Sequence, residues 1–145
     1  MEEVQRRNVP ALGVTVAVLA IFIGVSTLMA PAIYAALGVS VPLDTTACYM
    51  IQGAASLLLG FLGTRKRPTA FFFIALLYLP QSCTFQTPEF FFNFTGPVSI
   101  AYGLGLAPGY DISVNLLALF IIGASAWTLY RLSEPALPAG EGQPG

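Results

Sequence analysis

The stretch Gly63-Thr64-Arg65-Lys66-Arg67-Pro68 decides how this chain is read. Three consecutive cations stand between two long apolar runs. Those runs are predicted to be membrane-crossing helices joined by a tight basic turn, because Lys and Arg collect in cytoplasmic loops. Working outward, the other members of the chain's 6 Lys and Arg are Arg6, Arg7 and Arg131. Four apolar stretches, at about 9–30, 47–63, 69–87 and 112–130, lie between or beside these cations. With the N-terminus inside, every cation falls on the cytoplasmic side, and the outer loops carry only Asp44, Glu89 and Asp111. The pattern predicts an all-α, four-helix transmembrane bundle with cytoplasmic N- and C-termini. Residues 1–132 form one membrane domain, and the Pro-, Gly- and Glu-rich tail 133–145 is expected to be disordered.

Composition points the same way. Hydrophobic residues make up 56% of the chain and charged residues 9%, against about 25% charged in soluble domains. A net charge of -1 gives no basic footprint for nucleic acid. There is no His, so the commonest metal ligand and general base are both missing. No metal and no cofactor are expected. The expected partner is the lipid bilayer, with other membrane proteins or a second copy as further candidates. The first apolar run, Val9 to Ala30, is too long for the roughly 7–15-residue core of a secretory signal, and Pro31 opposes cleavage there.

Two helices carry stripes of small residues. Gly13, Ala17, Ala20, Gly24 and Thr27 recur every three or four positions, as do Gly53, Ser56, Gly60 and Gly63. Such stripes let helix backbones approach closely in lipid. The two helices are expected to pack on each other within one chain. Asp44 and Asp111 stand where they would cap the second and fourth helices. Ala32 to Leu37 reads as a turn of interfacial helix. Pro80 falls within the third run and predicts a kinked or broken helix continuing to about Thr87. Phe90 to Tyr110 is uncharged but broken by Gly96-Pro97, Gly103, Gly105 and Pro108-Gly109. It reads as an irregular outer loop that dips back or lies on the surface, with a helical turn near 98–106, rather than as a fifth span. Trp127 and Tyr130 suit the inner interface.

No span contains Asp, Glu, Lys or Arg, which weighs against proton relays and ion-coupled transport. The remaining chemistry is a neutral polar cluster in the outer half. Cys48 and Cys83 each stand about 22 Å of helix rise above the basic turn. Gln52 shares a helix face with Cys48. Gln81, Ser113 and Asn115 are expected at a similar level, forming a polar pocket rimmed by Asp44, Glu89 and Asp111. The cysteines read either as a disulfide or as two free thiols. Without CxxC, Lys or His beside them, redox catalysis is not expected. Asn93-Phe94-Thr95 matches the N-glycosylation triplet.

An apolar helix with a late Gly24, then "LMAPAIYAALGV" from Leu28 to Val39, then "GAASLLLGFLGTRKR" from Gly53 to Arg67, resembles the small DoxX-like membrane proteins. The similarity covers the first half of the chain and implies a four-helix bundle. The charged residue that many relatives carry early in the second helix is missing. The Phe-rich passage from Phe85 to Tyr110 is also longer than their final loop, so no catalytic residue carries over.

Two functions fit this reading. The first is a non-enzymatic accessory or scaffold subunit acting by helix packing. The alternative is a membrane-embedded enzyme, of isomerase or cyclase type, acting on a lipophilic small molecule in biosynthesis. There Glu89, set among phenylalanines, would serve as the acid and Asp111 as its partner.

Overall fold

A computed structural model describes residues 9–94 and 96–133. Arg6, Arg7, Thr95 of the glycosylation triplet and the tail beyond Ser133 lie outside the described residues. The chain is mostly helical, with α1 (Ala11–Ala36), α2 (Leu43–Thr64), α3 (Pro68–Tyr78) and α4 (Leu116–Ser133). Of these, α1, α2 and α4 are long and apolar enough to cross a membrane. Between α3 and α4 stands a small antiparallel sheet: β1 (Cys83–Gln86), β2 (Phe91–Phe92), β3 (Ala101–Ala107) and β4 (Tyr110–Asn115), in the order β2-β1-β4-β3. The all-α expectation is therefore corrected.

Helix α1 packs against α2, α2 against α3 and α3 against α4, and α4 touches α1. Ala17 and Gly24 of the first stripe meet Gly53, Gly60 and Gly63 of the second at the α1–α2 contact, whereas Gly13 meets Thr128 of α4. A Cβ placed on Gly24 would stand 2.6 Å from the Leu57 backbone nitrogen and 2.9 Å from the Gly53 carbonyl oxygen. One placed on Gly60 would stand 2.7 Å from the Ala17 carbonyl oxygen. The backbones touch because no side chain intervenes, which replaces the hydrophobic drive that lipid removes. Further in, Val16, Ile23, Phe71, Ile74 and Ile121 are fully or almost fully buried. Outward, α1 presents Val14, Val18, Phe22, Val25 and Met29, so the exposed helix surface is apolar.

The helix ends explain the boundaries. Helix α1 runs through Pro31 to Ala36, so the stop expected at Pro31 and the separate turn at Ala32 to Leu37 are both corrected. One lost N–H does not end a helix that neighbours support. It stops at Gly38, whose φ of 74° allows the Gly38 N–H to bond Ala35 O and the Val39 N–H to bond Tyr34 O. That is a Schellman closure. The basic turn closes α2 the same way, with Lys66 at φ 61°, Lys66 N–H on Gly63 O and Arg67 N–H on Leu62 O. Pro68 then opens α3, a position where its missing N–H costs nothing. At the same end Arg65 lies 4.4 Å over the Phe61 ring and Arg131 lies 5.8 Å over Trp127.

The third run does not continue to 87. A 3-10 turn at Leu79–Gln81 follows α3, and β1 begins at Cys83. Pro80 thus ends the helix rather than kinking it. The fourth helix begins at Leu116, not 112, because 110–115 is strand. The irregular-loop reading of 90–110 is corrected in part. Its second half belongs to a hairpin with register Tyr102↔Val114, Leu104↔Ile112 and Ala107↔Tyr110, and the register shifts between Gly105 and Ala107. Pro108 and Gly109, the latter at φ 81°, fill the two central positions of a type II turn. Residues 98–106 contain no helical turn.

Candidate functional site

Helix α2 begins just after Pro42, which occupies its cap position, and Asp44 sits in the first turn. Its Oδ1 accepts the Thr45 N–H at 2.8 Å. A carboxylate here is also favoured by the positive end of the helix dipole. Thr45, Cys48, Tyr49 and Gln52 follow in an i, i+3, i+4, i+7 pattern, so they share one face. Opposite them stand Asn93 and Phe94, just after β2. Together these residues line a half-open pocket of about 270 Å³. Among the described residues Asp44 is the one charged residue in its wall, which favours neutral or cationic guests.

Gln52 is 7% exposed, and its Nε2 has no hydrogen-bond partner among the described residues. A buried amide N–H left unpaired costs about 1–3 kcal/mol. Gln52 Nε2 and Gln81 Oε1 both lie within 4 Å of the point where a Gly96 Cβ would stand. Gly96 therefore allows the loop to close over two glutamines. Gln81 is 2% exposed, and its Nε2 donates to Leu77 O at 3.1 Å. Deeper in the bundle, Ser56 donates to Ala20 O at 2.9 Å and meets the Tyr78 hydroxyl at 2.8 Å. Since a hydroxyl has one proton, Tyr78 must be the donor to Ser56 Oγ.

The pocket thus gathers Cys48 and Gln52, with Asp44 at the rim and Gln81 beside Gln52. The other expected members lie elsewhere. Cys83 opens β1, exposed and paired with Val114. Both cysteines are free thiols, and Cys83 does not line the cavity with Cys48. Their matched helix rise does not apply, because the helix ends two residues before Cys83. Asn115 is a cap rather than a pocket wall: its Oδ1 accepts the Leu117 N–H at 3.1 Å and the Ala118 N–H at 3.2 Å. Asp111, expected as that cap, stands in β4 opposite Gln86 and Gly105. Ser113 bonds the Thr84 hydroxyl across the sheet. Glu89 is exposed in the turn between β1 and β2, and neither Glu89 nor Asp111 lines the pocket.

Sequence reasoning missed Tyr49, Phe94 and Gly96. Tyr49 carried a legible signal, since it is next to Cys48 and three before Gln52. Phe94 and Gly96 did not, because their place depends on the sheet. Among the described residues, no three His, Cys, Asp or Glu side chains gather as a metal site. In comparisons with known proteins, no family model, curated protein or solved structure matches the chain.

Proposed function

We propose that this is a four-span integral membrane protein with both ends in the cytoplasm, acting without catalysis as an accessory or scaffold subunit. The observation that carries this reading is the separation of the carboxylates from one another and from the pocket. Glu89 is exposed in the turn between β1 and β2, Asp111 is exposed on β4, and among the described residues the pocket holds one carboxylate, Asp44, with one oxygen engaged by backbone. Acid and base do not share a cavity, as general acid–base chemistry needs. The short third helix, Pro68–Gln81, completes the fourth crossing together with the start of the sheet. Arg65 to Arg67 and Arg131 support the orientation, because they share one end of the helices. Purification of the tagged protein in mild detergent tests the proposal. It is expected to bring down a defined membrane partner or a second copy, and a monodisperse monomer without partner would oppose it.

A second reading is favoured by one observation, the unpaired Gln52 Nε2 at the pocket floor. It is an enzyme of isomerase or cyclase type acting on a lipophilic small molecule. In that case Gln52 would donate to the substrate's carbonyl or ether oxygen, and Asp44 rather than Glu89 would be the acid or base. Replacement of Asp44 by Asn with normal expression and undiminished product in the cell would exclude it.

A further inference from the structure

The sheet leaves much of its apolar side uncovered. Residues paired across an antiparallel sheet share a face, and so do residues two apart. The register therefore puts Tyr102, Leu104, Ile112, Val114, Phe85 and Phe92 on one side. Thr84, Gln86, Asp111 and Ser113 fall on the other, with Gly103 and Gly105. A sheet in water buries its apolar side and wets its polar one. Here Tyr102 is 63% exposed, Leu104 53% and Phe85 40%, with Ile112, Val114 and Phe92 half-buried, while on the polar side Gln86 and Asp111 are exposed, Thr84 and Ser113 are half-buried and Asn115 is buried.

Helix lengths say what covers the apolar side. The 11-residue α3 and its 3-residue 3-10 turn rise about 22 Å above the basic turn. Leu116 stands at a similar height, about 22 Å, above Arg131. The hydrocarbon core is about 30 Å thick. Both helices fall about 8 Å short, or two to three residues of strand at about 3.3 Å each. Strand β4 runs into α4 without a break, and β1 starts two residues after the 3-10 turn. The row Tyr102–Val114–Cys83, two residues above the helices, thus falls at the outer boundary of the hydrocarbon, and the row Leu104–Ile112–Phe85, four residues above, stands about 5 Å beyond it, within side-chain reach.

We propose that the apolar side of this sheet lies in the outer leaflet, covered by lipid acyl chains continuous with those around α3 and α4. The inference rests on the four-span reading above. The free edge of β3 limits the depth. Unpaired edge N–H and C=O groups find no partner within hydrocarbon, so the strand lies at headgroup level and its side chains reach down. Tyr102 suits that level, as interfacial aromatics do.

The test uses the full-length protein, with Cys48 and Cys83 replaced by Ser, in phosphatidylcholine vesicles. Single cysteines at Leu104, Gln86 and Phe22 carry nitroxide labels, and collision with oxygen is compared with collision with a water-soluble nickel chelate. Phe22, exposed on α1, is the control for the span reading. The Leu104 label is expected to behave like Phe22, with an oxygen-to-chelate ratio several-fold above that at Gln86. Should Leu104→Cys not fold, Tyr102→Cys takes its place with the same expectation. A Leu104 ratio equal to that at Gln86, with Phe22 still in lipid, overturns this inference and leaves the span reading intact. Exclusion of both reagents from Leu104 means that protein covers the face, and also overturns it. A chelate-accessible Phe22 overturns the span reading itself.

Discussion

Replacement of Gly24 by Ala adds one methyl group where α1 and α2 touch. That methyl would stand 2.6 Å from the Leu57 nitrogen, 2.9 Å from the Gly53 oxygen and 3.0 Å from the Leu57 Cα, all backbone atoms. No side chain can rotate away, so the helices must separate by roughly 0.8 Å to regain ordinary contact. A gap of that size forfeits about a quarter to a half of the dispersion energy along the seam. Overpacking costs about 1–3 kcal/mol in well-packed cores. Because the obstruction is backbone, the upper end applies, and about 3 kcal/mol lowers the folded-to-unfolded ratio on the order of a hundredfold. Gly123 is the matched control, since nothing lies within 4 Å of its Cβ position. The assay is reversible unfolding in mixed micelles, with rising mole fraction of a denaturing detergent, followed by circular dichroism. Gly24→Ala is expected to unfold well before wild type and Gly123→Ala close to it. Equal midpoints for the two variants would refute the close-contact account.

Ser56→Ala should cost more than Tyr78→Phe in the same assay, about 1–3 against about 1 kcal/mol, because the first leaves a buried hydroxyl donor unpaired. Asn115→Ala should cost about 1 kcal/mol through the lost cap, whereas Asp111→Asn should cost nothing measurable. The reverse order would restore Asp111 as the cap. Lys66→Gly relieves a side chain held at φ 61° and should raise stability by about 1 kcal/mol, read as a later unfolding midpoint. Mass spectrometry of the alkylated, unreduced protein should find both Cys48 and Cys83 modified. A mass lower by two hydrogens with no alkylation would mean a disulfide.

The small-residue stripes were legible because helical spacing alone puts Gly24 and Gly60 on a face, and backbone contact in lipid has few other sources. The basic turn was legible for the same reason, since Arg65 to Arg67 leave little choice about what ends α2. The sheet left a signal that hydropathy concealed. Ala101 to Ala107 alternates small and large side chains, Tyr110 to Asn115 alternates apolar and polar ones, and Pro108-Gly109 sits between them as a turn. Glycine in such a run was read as a helix breaker, though it equally suits one face of a strand. Once the sheet was missed, Cys83, Asp111 and Asn115 were misplaced together, because helix ends fix all three. The pocket was partly legible, through Cys48 and Gln52 on one face of α2. Its far wall, Asn93 and Phe94, was not, since only the sheet brings that segment to the helix.

Placement of the sheet and the termini on opposite sides of one bilayer is the central claim, and one measurement reaches it directly. Sealed, right-side-out vesicles are probed with a membrane-impermeant maleimide after Cys48 and Cys83 are replaced by Ser. Single cysteines are placed at Glu2, at Gln86 and at Gly145. The account predicts labelling of Gln86 in intact vesicles, and of Glu2 and Gly145 only after the vesicles are opened. Labelling of Glu2 and Gly145 on different sides would mean an odd number of crossings and would contradict it.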